Sequence, residues 1–344
     1  MRVQTQIVAA ALGLFLVGTT GAAQTKLNGA GATFPAVIYS KWFDVYHNKT
    51  GIEFNYQSIG SGGGIKQVTE GTVDFGASDA FLTDQQMAEI KEKRGTDIIH
   101  IPTVMGAVVI TYNVSGVGTG LHITPDVLAG IYLGEITKWN DPKITSLNSG
   151  FNLPSEDILV AHRSDGSGTT NIFTDYLCKV SKDWADKVGK GTSVNWPVGL
   201  GGKGNDGVAG LVKQSEGSIG YVELAYAVQN KIPYAQLRNQ AGEYTGPTFA
   251  AVSAAAAGAA KAMPADLRVM ITNAPGKESY PICGFTWLLI YKHMNDAAKA
   301  KEVQNFVKWA MTDGQTYAKD LYYAPLPKNV AAMCEKKIET MDIK

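Results

Sequence analysis

The chain has 344 residues, 45% of them apolar. That length suits two packing units at ~100–200 residues per domain, and that composition excludes a disordered chain. Lys plus Arg and Asp plus Glu each number 31, so no basic surplus points to nucleic acid and no acidic run points to a solvating arm.

The first residues have the pattern of an export signal. Arg2 is the only charge before Lys26, Ile7 to Val17 is apolar apart from Gly13, and Gly21 and Ala23 supply small residues at a cleavage site. The apolar run falls short of the ~20 residues that span a bilayer. Residues 1–23 are therefore expected to be removed, leaving a soluble chain from about Gln24 with 30 basic and 31 acidic residues. Cys178, Cys283 and Cys334 leave at least one thiol unpaired within a monomer and allow one bridge, with no pairing favoured.

Short strands then alternate with helices, which argues for α/β lobes. Pro35 suits the first turn of a helix whose apolar face is Val37, Ile38, Trp42, Val45 and Tyr46, with Gly51 as its C-terminal cap. Phe54 and Tyr56 alternate with polar residues as in a strand. Val73 to Ala77 forms another, ending at Ser78-Asp79. Thr83 with Gln86 makes a capping box, and Thr124-Pro125 opens a further helix. Ile98 to Ile101 and Ala107 to Tyr112 predict two buried strands, followed by strands at Ile158 to Ala161, Ser218 to Val222 and Phe285 to Tyr291. The Ala-rich Phe249 to Ala262 reads as a surface helix, and amphipathic helices are expected at Lys301 to Thr312 and Val330 to Met341.

Glycine, at 38 residues, is above the usual ~7% and gathers in a few loops. Three of them run into helices: GAGATFP (Gly29 to Pro35), SIGSGGG (Ser58 to Gly64) and RSDGSGTT (Arg163 to Thr170). Helix N-termini expose unpaired N–H groups and a positive dipole end, and glycine lets a ligand approach the backbone closely. Such loops bind anions without net positive charge. Thr33, Ser61, Ser167 and Thr169 add hydroxyl donors, Arg163 adds a guanidinium fork, and Asp165 is placed to orient it. Any one of these loops alone reads more simply as an ordinary capped turn. A fourth cluster, GLGGKGNDG from Gly199 to Gly207, lacks the Ser or Thr of a P-loop after Gly202-Lys203; Lys203 is placed either at an anion or in a plain turn. His47, His100, His122, His162 and His293 are scattered without metal-ligand spacing, and no nucleophile elbow surrounds Ser61, Ser167 or Ser218.

In order along the chain, GAGATFP, SIGSGGG, VDFGASDA, RSDGSGT, WPVGLGGKGNDGVAG and GSIGYVE resemble the phosphate-binding protein of the Pst-type phosphate ABC transporter, a periplasmic substrate-binding protein family. The resemblance runs from about residue 26 to the C-terminus and is poor only near 250–262. It implies an α/β, two-lobed type II periplasmic binding-protein fold with the ligand cleft between lobes. Lobe 1 would comprise 24–104 and 285–344, and lobe 2 would comprise 105–284. It further implies high-affinity binding of inorganic phosphate and its delivery to the permease and ATPase subunits of a phosphate-import transporter. No enzymatic activity, cofactor, metal or nucleic acid is implied, and the chain is expected to be a periplasmic monomer.

Matched residue by residue, the family's phosphate contacts fall on Thr33, Phe34 through its backbone N–H, Ser61, Asp79, Arg163, Ser167, Gly168 and Thr169, with Asp165 as the partner of the arginine. Gly62 stands where some relatives carry a second serine, which removes a hydroxyl but leaves the backbone donor. A carboxylate beside an anion is normally repulsive, but it becomes favourable where the ligand brings a proton to donate. Phosphate at neutral pH has such a proton and sulfate has none, so Asp79 is expected to reject sulfate and molybdate. Arsenate, protonated like phosphate, stays open as a ligand. A secreted phosphatase or a sensory surface protein with the same loops also stays open on sequence.

Overall fold

The computed structural model describes residues 25–343, so the export signal and the start near Gln24 lie outside the described residues. The first strand, β1 (Lys26–Gly31), passes through a short turn into α1 (Ala36–Thr50), which buries Ile38, Tyr39, Trp42, Phe43 and Tyr46. Next come β2 (Glu53–Ser58), α2 (Ser61–Glu70), β3 (Phe75–Ser78) and α3 (Asp84–Arg94). The α3 N-terminus carries the expected box: Thr83 Oγ1 accepts from Gln86 N, and the Gln86 side chain accepts from Thr83 N. The long β4 (Ile98–Asn113) is followed by β5 (His122–Ile123), α4 (Pro125–Tyr132), α5 (Pro142–Thr145), β6 (Leu159–Arg163), α6 (Gly168–Val180) and α7 (Lys182–Lys187). Then come β7 (Leu200–Gly202), α8 (Gly204–Gln214), β8 (Ser218–Glu223), α9 (Leu224–Asn230), β9 (Gln236–Arg238), β10 (Tyr244–Thr245) and α10 (Phe249–Lys261). The chain closes with β11 (Cys283–Tyr291), α11 (Ala297–Met311) and α12 (Lys328–Ile338).

Eight strands form one sheet in the order β2-β1-β3-β11-β4-β8-β6-β7, and β10-β9-β5 form a small second sheet. The two apolar runs expected as separate strands are one strand, β4. Its first half pairs antiparallel with β11 and its second half, from Val108, pairs antiparallel with β8. Pro102, which cannot donate to a ladder, is accommodated by a register shift: Thr286 faces Val104 while Trp287 faces Pro102, leaving Thr103 as the extra residue. Parallel strands flank this antiparallel centre, with β1 between β2 and β3 on one side and β6 between β7 and β8 on the other.

The C-terminal ends of β1, β3 and β6 each run into a loop and then a helix, the arrangement in which α/β sheets bind ligands. Between β1 and α1, Phe34 is fully buried with its ring against Gly106 of β4. A Cβ at Gly106 would lie 2.5 Å from Phe34 Cζ, so glycine is what lets the β1–α1 turn sit on the strand that joins the two halves of the sheet. The Ala-rich helix α10 lies at the surface with one face packed inward through Ala251, Val252, Ala255, Ala256 and Ala260 and the other exposed. All three cysteines are free thiols, Cys283 and Cys334 buried.

Gly106→Ala is expected to destabilise the fold by about 1–3 kcal/mol through overpacking against Phe34. Urea denaturation of the ligand-free protein measures this, and an unchanged midpoint would mean that the Phe34 ring moves aside freely.

Candidate functional site

Three loops meet where the two halves of the sheet join. The β2–α2 turn brings Ser61, the β3 end brings Asp79, and the β6–α6 loop brings Arg163 to Thr169. The β1–α1 turn adds Thr33 and Phe34. Every one of these except Ser164, Asp165 and Gly166 is buried, and several connect loops from distant parts of the chain. Ser61 Oγ accepts from Asp79 N at 3.1 Å and from Gly168 N at 3.0 Å. Gly62 N donates to Gly166 O at 2.9 Å. A Cβ on Gly168 would collide with Ser61 Oγ and the Asp79 carboxylate, so the first turn of α6 lies directly on both.

The sequence-derived hydroxyls are largely saturated on their acceptor side. Besides Ser61, Thr33 Oγ1 accepts from Asn205 N at 3.2 Å and Asn205 Nδ2 at 2.7 Å. Thr169 Oγ1 receives Asn205 Nδ2 at 3.2 Å and Arg163 Nη1 at 3.5 Å. Ser167 is the N-cap of α6, its Oγ accepting from Thr170 N at 3.0 Å, so its capping role and its place at the site coexist. A hydroxyl whose lone pairs are occupied has only its O–H left to give. Thr33, Ser61 and Thr169 are thus turned into donors.

Arg163 is held by Asp165 in a two-pronged pair, Nε to Oδ1 at 2.7 Å and Nη2 to Oδ2 at 2.6 Å. Asp165 Oδ1 also accepts from Gly204 N at 2.9 Å. Burial alone would raise the Asp165 pKa, but the hydrogen bonds and charge of Arg163 and the Gly204 N–H carry it below the ordinary carboxylate value. Asp165 therefore stays ionised and faces the guanidinium. Of the five guanidinium N–H groups, the two to Asp165 and the long one to Thr169 are occupied, so two remain for a further acceptor.

Asp79 is the exception in this donor-rich site. It is 1% exposed, and neither carboxylate oxygen has a hydrogen-bond partner among the described residues. Burial pushes its pKa up to about 7, outweighing Thr286, Arg163 and Ser61, which pull the other way. A buried acceptor with nothing to accept from is costly, and it fits a partner that brings its own proton.

Sequence reasoning missed the residues that hold the β1–α1 turn. Three tyrosines donate to three successive carbonyls: Tyr56 Oη to Ala32 O at 2.7 Å, Tyr226 Oη to Thr33 O at 2.5 Å and Tyr323 Oη to Phe34 O at 2.6 Å. Their motif-free, scattered positions gave no signal. Glu223, inside GSIGYVE, caps α9 through Ala225 N at 2.9 Å, and its other oxygen has no hydrogen-bond partner among the described residues. Burial first of all holds its carboxyl well above the usual range. In the fourth glycine cluster Lys203 is exposed, and it is the neighbouring Asn205, fully buried, that reaches the predicted residues. His162 stacks on Trp196, with ring centroids 4.8 Å apart.

Residues 18–313 match the PBP superfamily domain. The phosphate-binding protein PstS of Xylella fastidiosa (strain 9a5c) is 46% identical over 90% of this chain and 84% of its own length. PstS of Pasteurella multocida (strain Pm70) is 44% identical over 93% and 92%. The chain belongs to the PstS phosphate-binding protein family of the PBP superfamily. Its fold is also that of PfluDING, a high-affinity periplasmic phosphate-binding protein solved with phosphate bound, at a TM-score of 0.70 and 23% identity over 91% of this chain and 93% of that one. The periplasmic binding-protein fold expected from the sequence is therefore the fold observed.

Within the PstS framework Asp79 makes a measurable pH signature. Folded, the carboxyl keeps its proton to about pH 7; unfolded, it loses it near ~3.9. Between those values the folded state holds more protons, so this group's contribution to stability declines as pH rises. Melting the ligand-free protein and its Asp79→Asn variant across that window should show the variant gaining on the wild type toward higher pH. A constant difference in Tm would mean that Asp79 does not titrate there.

Proposed function

We propose that this chain binds inorganic phosphate with high affinity in the periplasm and delivers it to the permease and ATPase subunits of a phosphate-import ABC transporter. The observation that carries this reading is the buried, unpartnered carboxylate of Asp79 among groups turned into donors. A dibasic or monobasic phosphate fits both halves of that arrangement: its oxygens accept from hydroxyls, N–H groups and guanidinium, and its own O–H satisfies Asp79. Sulfate fits only the first. The names of the relatives support the same ligand.

In this reading Thr33, the Phe34 N–H, Ser61, Asp79, Arg163, Ser167, Gly168 and Thr169 contact the ion, with Asp165 positioning Arg163. The Gly168 N–H, given to Ser61 Oγ here, would turn to a phosphate oxygen. Segments 24–104 and 285–344 act as one lobe and 105–284 as the other, hinged where β4 changes partner from β11 to β8. What supports this division is that β4 and β11 are the strands at the junction. The contacts of Ser61 with Gly168, Gly62 with Gly166 and Thr33 with Asn205 then all cross between lobes, as in a closed cleft. Binding needs no covalent step. Export rests on the leader pattern of residues 1–23.

Calorimetric titration of the dialysed mature protein with phosphate, sulfate and arsenate tests the ligand. Phosphate should bind and sulfate should not, and equal binding of the two would remove the role of Asp79. Asp79→Asn should narrow the gap between phosphate and sulfate. Arg163→Ala should weaken phosphate binding by about 1.5–3 kcal/mol, the worth of a charge-assisted hydrogen-bonding group. An unchanged Kd would place Arg163 outside the site.

A further inference from the structure

Asn205 opens α8, on a loop that none of the predicted ligand contacts occupies, yet it is fully buried and touches two of them. Its Oδ1 accepts from Glu223 N at 3.0 Å. A backbone N–H can only donate, so this bond fixes which way the amide points: oxygen toward β8, nitrogen toward the site. Its Nδ2 then donates to Thr33 Oγ1 at 2.7 Å and to Thr169 Oγ1 at 3.2 Å, and its own backbone N–H adds a second donor to Thr33 at 3.2 Å.

We infer that Asn205 is a positioning residue that sets the polarity of the Thr33 and Thr169 hydroxyls, forcing both to donate their protons into the cleft. The inference rests on the phosphate-binding reading and adds a residue to it. Left to themselves, the two hydroxyls can donate to each other's neighbours or to the cleft. With Asn205 filling both lone pairs of Thr33 and one of Thr169, whose other receives Arg163 Nη1 at 3.5 Å, donation to an anion is the direction left, and these hydroxyls need no rearrangement when the ion arrives. Because Thr33 lies on the β1–α1 turn and Thr169 on α6, the same amide also ties the two sides of the cleft together at the point where the ligand enters both hydrogen-bonding schemes.

The test is a double-mutant cycle read as phosphate Kd by calorimetry. Asn205→Ala should weaken binding about tenfold in the wild-type background, the scale of one neutral hydrogen bond. In a Thr33→Val background, where the stronger of its two targets is gone, the same change should cost less than about threefold. An equal loss in both backgrounds overturns the assignment, since a merely structural role for Asn205 does not depend on the Thr33 hydroxyl. Asn205→Asp is the second variant: it keeps an acceptor for Glu223 N and so preserves the α8 start, but offers the hydroxyls an acceptor instead of a donor. It should weaken binding by more than about tenfold, and a smaller loss overturns the assignment even where Asn205→Ala fails to fold. Wild-type protein that takes up no phosphate overturns the ligand reading and this inference together, whereas wild-type binding with additive mutant losses overturns this inference alone.

Discussion

The Asp79 carboxylate is kept from water with both oxygens unpartnered, and the rest of the site is built around that cost. Desolvating a carboxylate without compensation is unfavourable, which is why its proton is retained to about pH 7. Thr286, Arg163 and Ser61 offset only part of that cost, while the lone pairs of the neighbouring hydroxyls are filled by other donors. Ser61 receives two backbone N–H groups, Thr33 two donors from Asn205, and Thr169 the Asn205 amide with a long contact from Arg163. The result is one acceptor facing a set of donors, the arrangement on which the proposed preference for a protonated anion rests.

Holding such a set in place takes contacts from far along the chain. The turn carrying Thr33 and Phe34 is fixed at its carbonyls by Tyr56 on β2, Tyr226 on α9 and Tyr323 near the C-terminus. Each removes a carbonyl acceptor that would otherwise compete with an anion for the local donors, and each satisfies a buried backbone group. Arg163 is handled in the same way: Asp165, itself tied to Gly204 N, takes two of its N–H groups and fixes the plane of the rest. A charge near neutrality across the whole chain is compatible with anion binding because the donors are local dipoles and one paired guanidinium.

Much of this was legible in the residues. The alternation of strands and helices, the capping box at Thr83, the glycine-rich helix starts and the ordered family motifs all have local causes, namely backbone propensity, capping geometry and hydrophobic period. The resemblance then placed Thr33, Ser61, Asp79, Arg163, Asp165, Ser167, Gly168 and Thr169 together, and the structure gathers them in one place. Less legible was the union of two apolar runs into β4, where the extra residue Thr103 absorbs a proline, because a strand's partners are set by non-local packing.

By itself the sequence determined an α/β chain with donor-rich helix starts and, through its ordered motifs, a family. The periodicities and loop compositions behind that are properties of neighbouring residues. Only the tertiary structure decided which hydroxyls donate, which carboxylate is left without a partner, and which residues hold them so. Asn205, Tyr56, Tyr226, Tyr323 and Glu223 lie 18 to 289 positions from the groups they bond across the fold. A hydrogen bond's direction depends on what occupies its other lone pair, and that is fixed by three-dimensional contact rather than by spacing along the chain.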